Sequence, residues 1–514
     1  MPSPPRRLRA LSFLVAALCA ILLAACGGSG DPDAKPATIV PATAPLYFEI
    51  TVRPEGDVRA DAEAAARKIL RKEQPVAELR RLIDQALAED QVSFEEDIEP
   101  WLGRRIGVLV TNITREEPDI AFIAAVEDTE EAIDYIVAAR EKETQDEAEL
   151  QEREYNDTEY LLDPEDRTGL AEVGDFVVLA SEPLLGQLID AQDDGEVLTE
   201  DERFSRVREA VGEENLGFGY LNVQALLDMV GPAGGIPPGG LESLREFVGE
   251  SVALSLTAQE SAVALDIVSF GTPPQPGADP RAVAESVRAL PAGSLVGLGL
   301  GDVGDRIQTQ LRASGLGPNI LGQVEQATGL NVEEDLLSWM GQGSAFVQGS
   351  GIGDLGGAFI VQTDDRQATL DALEKIEPLL EEQDATVEQV DEDGVEGLEA
   401  RFEGLPLPVY LVVADERFLV AIGDAALDSA VEPRGTLGEN PGFAQAAGVL
   451  GGGMQPSFYA LVPGLVGLAE SLGLAQDPSF QQARAYLDAF TVLVGGSARE
   501  GEVSRNRLAL GLAP

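Results

Sequence analysis

Two rhythms of apolar and polar positions alternate along this chain, and they change places in the same order twice. Runs such as LYFEITV at 46–52 and RIGVLVTN with DIAFIAAVED at 105–112 and 119–128 carry β-branched and aromatic residues and predict strands. Between the first two, DVRADAEAAARKILRK and VAELRRLIDQALAE switch to helical spacing, with Val76, Leu79, Leu82, Ile83, Ala86 and Leu87 as one stripe and Pro75 as the break between two helices. EDTEEAIDYIVAARE predicts a third helix, and the solvated, charge-dense KETQDEAELQERE continues that helix or frays from it. Strands at TEYLL, LAEV and DFVVLAS, helices near EPLLGQLIDAQ and DERFSRVREAV, a strand at LGFGYLNV and a closing hairpin ESVALSLTA/SAVALDIVSF complete the first pass, with GPAGGIPPGG as a loop before that hairpin. After GTPPQPGADP at 271–280 the order replays, from LPAGSLVGLGLG through FLVAIGDAAL and PSFYALVPGL to the hairpin FTVLVGG/VSRNRLALGL.

One short pattern anchors that replay. FEEDIEPWLG at 94–103 and VEEDLLSWMG at 332–341 share spacing, and they hold the only two tryptophans, Trp101 and Trp339, 339 − 101 = 238 positions apart. Glu95, Glu96 and Asp97, like Glu333, Glu334 and Asp335, suit the free N–H groups at a helix start. Ile98, Trp101 and Leu102 then form an apolar face, and Gly103 and Gly341 fit a helix stop. The tryptophans are therefore expected as structural anchors, with an acid-lined cation site as the functional alternative at those six carboxylates.

The pattern predicts an α+β protein of two homologous domains, each a mainly antiparallel sheet covered by helices. The expected boundaries are a signal segment at 1–25, an acylated cysteine and flexible tether at 26–44, a first domain at 45–270, a linker at 271–289 and a second domain at 290–514.

Composition adds an address. Arg6, Arg7 and Arg9 precede an uncharged run from Leu11 to Ala25, which is shorter than the about 20 apolar residues of a membrane span. That run ends in Leu23, Ala24, Ala25, Cys26, which resembles the lipobox of bacterial lipoprotein precursors, and the resemblance implies that Cys26 is acylated and becomes the mature N-terminus. Cys19 leaves with the signal, so the remaining thiol has no internal disulfide partner. The formal charge of −54 becomes −54 − 3 = −57 once the signal arginines are gone. Such a surface repels phosphate backbones and anionic lipids, which argues against nucleic-acid binding and favours at most weak divalent-cation association.

Chemistry is mostly excluded. With no histidine, Ser-His-Asp and Cys-His catalysis and His-bearing metal sites are ruled out. Of two Gly-x-Gly-x-x-Gly matches, Gly351, Gly353 and Gly356 lie between strands, and Gly299, Gly301 and Gly304 lack the βαβ context of dinucleotide binding. The DEDG at 391–394 aligns Gln389 and Ala400 with essential EF-hand ligand positions, so it reads as a hairpin turn. No cofactor and no catalytic residue is expected.

The lipobox, the small residues before the first strand and the EED…WLG motif together are similar to a family of exported bacterial proteins catalogued only as a domain of unknown function, over Ala42 to the C-terminus. The functional expectation is a non-enzymatic lipoprotein held by Cys26 on the outer face of the cell membrane, binding or scaffolding an envelope partner. A carrier of an apolar ligand between sheet and helices, and a carboxylate-based hydrolase, are the alternatives.

Overall fold

A computed structural model describes residues 30–87, 92–112, 118–144, 150–230, 245, 248–273, 279–314 and 317–513. Cys26 and the segment before it, and the loop GPAGGIPPGG, lie outside the described residues. The chain divides into two compact units near Thr272, and it is an α+β protein.

In the first unit the strands are β1 (Leu46–Thr51), β2 (Leu102–Thr111), β3 (Asp119–Val126), β4 (Gln151–Tyr155), β5 (Thr158–Asp163), β6 (Thr168–Val173), β7 (Phe176–Ser181), β8 (Gly217–Asn222), β9 (Ser251–Gln259) and β10 (Ala262–Phe270). All neighbours are antiparallel, in the spatial order β4-β5-β6-β7-β3-β2-β1-β8-β9-β10. Alternation along β1 sends Tyr47 and Glu49 to one face and Phe48 and Ile50 to the other. The Tyr47 face lies under helices Glu182–Asp194 and Glu202–Val211; the Ile50 face packs on the core around Trp101.

The second unit has β11 (Val296–Asp302), β12 (Met340–Gln348), β13 (Gly356–Thr363), β14 (Thr386–Glu392), β15 (Val395–Arg401), β16 (Val409–Ala414), β17 (Arg417–Ile422), β18 (Gln455–Leu461), β19 (Phe490–Glu500) and β20 (Val503–Leu512). Its order is β14-β15-β16-β17-β13-β12-β11-β18-β19-β20, again antiparallel and the same topology as the first.

Outside the tryptophan motif, three segments differ from their sequence expectations. Residues 30–44, expected as a tether, pack on the first unit: Ile39 and Val40 are buried, the Arg104 N–H donates to the Pro32 carbonyl at 2.8 Å, and the Leu198 N–H to the Val40 carbonyl at 2.8 Å. Within 271–289, expected as a linker, Pro280–Arg288 is a helix capped by Asp279, with Val283, Ala284 and Val287 buried. Gln151–Tyr155, at the end of a segment expected to continue or fray from the preceding helix, is the exposed edge strand β4. Its charged side chains suit an edge, where they discourage pairing with other chains.

Candidate functional site

The tryptophan motif is a single wide turn of π-helix rather than an α-helix. Phe94–Ile98 and Val332–Leu336 each form one such turn, closed by the N–H of Glu99 on the Phe94 carbonyl at 2.8 Å and by that of Leu337 on the Val332 carbonyl. Each turn is capped twice over. The Ser93 hydroxyl accepts from the Glu96 N–H and the Asp97 carboxylate accepts from the Ser93 N–H at 2.7 Å; Asn331 and Asp335 repeat both contacts, the latter at 2.8 Å. The indole N–H of Trp101 donates to the Asp97 carbonyl at 2.9 Å, and that of Trp339 to the Asp335 carbonyl at 2.7 Å.

Both rings are buried. Trp101 packs among Ile83, Leu87, Phe94 and Val126 and against the Tyr135 ring at 5.7 Å; Trp339 packs among Ala372, Leu373 and Leu398 and meets Phe418 edge-on at 5.3 Å. Gly103 and Gly341 do not end a helix, because they already lie in β2 and β12. A Cβ at Gly103 would stand 2.6 Å from the Ala125 carbonyl oxygen, and one at Gly341 would stand 3.2 Å from that of Gln362. Glycine is there for close approach to the neighbouring strand, beside the irregular register that opens each strand pair.

The six acids do not converge on a cation. Asp97 and Asp335 cap their turns, Glu95 lies 3.7 Å from Arg80, Lys375 holds Asp335 at 2.7 Å, and Glu96, Glu333 and Glu334 are exposed. The Lys375 hydrogen bond first, then the Asn331 N–H, lowers the Asp335 pKa from its ordinary value. Among the described residues, no group of three or more Asp, Glu, His or Cys is placed to hold a metal ion.

A second repeated motif was not recognised from sequence: LTEDERF at 198–204 and LGENPGF at 437–443, 437 − 198 = 239 apart. Asp201 and Asn440 cap the following helices, Leu198 and Leu437 are fully buried, and Phe204 and Phe443 stand edge-on to Tyr220 and Tyr459 at 5.1 and 5.4 Å. Its signal was the shared offset, weakened because only Leu, Glu and Phe are identical.

Around β1 the first unit buries charge, and at the matching register of β11 the second buries valine methyl groups. Glu49 is buried and accepts from Tyr47 at 2.9 Å, Arg105 at 3.1 Å and Arg208 at 3.3 Å, while Glu213 lies 3.0 Å from Arg208. Burial raises the Tyr47 pKa well above its ordinary value, and Glu49 raises it further, so the phenol is the donor. Burial also works to raise Glu213, but Arg208 and Lys35 outweigh it and bring that carboxyl to about 2. At the place of Glu49 the second unit has Gly299, where a Cβ would be 2.7 Å from the Val283 carbonyl oxygen of helix Pro280–Arg288.

Helices packed on antiparallel strands, in the same strand order in each unit, define an α+β protein. Residues 9–504 match a family described as Protein of unknown function (DUF3352), and the chain belongs to that family. No curated protein and no solved structure matches it. Among the described residues, no helix is long and apolar enough to cross a membrane.

Proposed function

We propose that this protein is a lipid-anchored, extracytoplasmic binding or scaffolding component of the cell envelope, built from a duplicated α+β domain. The observation that carries the non-catalytic reading is the fate of the repeated polar groups. Asp97 and Asp335, and Asp201 and Asn440, all accept from backbone N–H groups at caps, so what the units have in common is packing chemistry. The duplication is supported by the common strand order and by two motifs at offsets of 238 and 239 residues, which place equivalent side chains at equivalent points of each sheet.

The anchor is supported by Arg6, Arg7 and Arg9, the apolar run and the sequence ending at Cys26. Labelling cells with a fatty-acid analogue tests it. The wild type is expected to carry the label in the membrane fraction, and Cys26→Ser to carry none. Equal labelling of the two, or a wild-type chain retained in the cytoplasm, contradicts the proposal.

A further inference from the structure

A cleft of about 380 Å³ opens in the first unit between the β4–β5 hairpin and helix Glu182–Asp194. This lies within the roughly 300–1,000 Å³ of small-molecule sites. Its floor is apolar, made by the buried Leu185 and Ile189 with Gly186 between them. One wall is aromatic, because the turn at Asn156 and Asp157 sends Tyr155 and Tyr160 to the same face of the hairpin. The rim is polar and held in place. Tyr155 donates to Asp190 at 2.9 Å, Asn156 to the other oxygen of Asp190 at 2.7 Å, Tyr160 to Glu182 at 3.0 Å, and Arg167 pairs with Glu182.

We propose that this cleft binds a neutral oligosaccharide. A sugar ring has an apolar face that lies on an aromatic ring and a hydroxyl edge that needs planar donors and acceptors, and the tyrosine wall and the Asp190, Glu182 and Arg167 rim supply both. An anionic glycan is disfavoured by a chain of net charge −54. An organic cation is disfavoured because Arg167 already occupies the partner position of Glu182. The tyrosines are rigid, since each hydroxyl is tied to a carboxylate, and a fixed ring loses little freedom on binding. The site is assigned to binding because its two carboxylates, Glu182 and Asp190, eight residues apart on one helix, each already accept from a tyrosine hydroxyl.

The proposal rests on the non-catalytic binding reading, and its test is independent of the anchor. Calorimetric titration would use the full mature chain carrying Cys26→Ser, with cellotriose, chitotriose and maltotriose as neutral probes and choline as the cationic one. Saturable binding of at least one trisaccharide is expected. Tyr155→Ala should weaken it at least about tenfold, while Tyr155→Phe, which keeps the ring, should weaken it less. Tyr155 is 41% exposed, so losing its hydroxyl bond to Asp190 should lower the unfolding temperature only slightly and alike in both variants. Gly186→Gln fills the cleft and should abolish binding; a Cβ there meets the Tyr155 ring at an ordinary 3.6 Å. No binding of any trisaccharide, tighter binding of choline, or binding indifferent to both Tyr155→Ala and Gly186→Gln would overturn the proposal. Because the protein in this experiment is not acylated, such a failure leaves the labelling result at Cys26 untouched.

Discussion

Glu49 ties one phenol and two guanidinium groups into a buried cluster. Its carboxylate is buried beneath two guanidinium groups and a phenol, so its removal would leave Arg105 and Arg208 with only the half-exposed Glu213 as an anionic partner. Breaking a buried pair by removing one partner costs about 3–5 kcal/mol, and Glu49→Ala should destabilise the first unit by that order in chemical denaturation. Glu213 belongs to the same cluster but sits half in solvent, so its effect is screened. Its pKa is lower in the folded chain than in the unfolded one, so its stabilisation is present above the unfolded value of about 4.3 and is lost as pH falls toward about 2. Acid titration of Glu213→Gln should therefore show a shallower loss of stability between those limits than the wild type. An unchanged acid slope would remove Glu213 from the account. The caps make smaller claims: Asp201→Ala should cost about 0.5–2 kcal/mol, read as a lower denaturation midpoint at unchanged slope.

At the scale of elements, the strands were legible because buried faces force alternation. LYFEIT, DIAFIAAV and FVVLAS could be read directly, and they are β1, β3 and β7. Strand β4 was not legible, since all five of its residues are exposed and nothing apolar recurs along it. The turn at Phe94–Ile98 was misread for a related reason. A single π-turn and an α-turn place apolar residues at almost the same spacing, and the difference lies in a closing bond that sequence does not display. At Gly103 and Gly341 a glycine after an apolar run reads as a helix end, whereas the close strand behind them is a tertiary fact. Helix Pro280–Arg288 was hidden by the Pro-rich stretch before it, although Val283, Ala284 and Val287 have the spacing of a buried stripe. Gly299→Ala tests this packing: its Cβ would meet backbone, so the second unit should lose stability while keeping its fold. The charged cluster and the cleft were beyond sequence reasoning because their partners are distant, with Arg208 lying 159 residues from Glu49 and Asp190 lying 35 from Tyr155.

For the whole molecule, the two units solve one packing problem with two sets of side chains. Strand order, the capped tryptophan turn and the Leu–Phe–Tyr motif recur, while the charged cluster has methyl groups in its place in the second unit. Trp101 and Trp339 are packing anchors, and Asp97 and Asp335 beside them cap the turns. Native-state hydrogen exchange on Trp101→Ala and Trp339→Ala, each with and without calcium, tests this most directly. Truncation of a buried tryptophan costs about 3–5 kcal/mol, so protection in β2, β3 and β7 should fall by that order in Trp101→Ala, and in β12, β13 and β17 in Trp339→Ala. Calcium should change neither result. Strands whose protection is untouched by truncation, or protection that calcium raises and Glu95→Gln abolishes, would contradict the account.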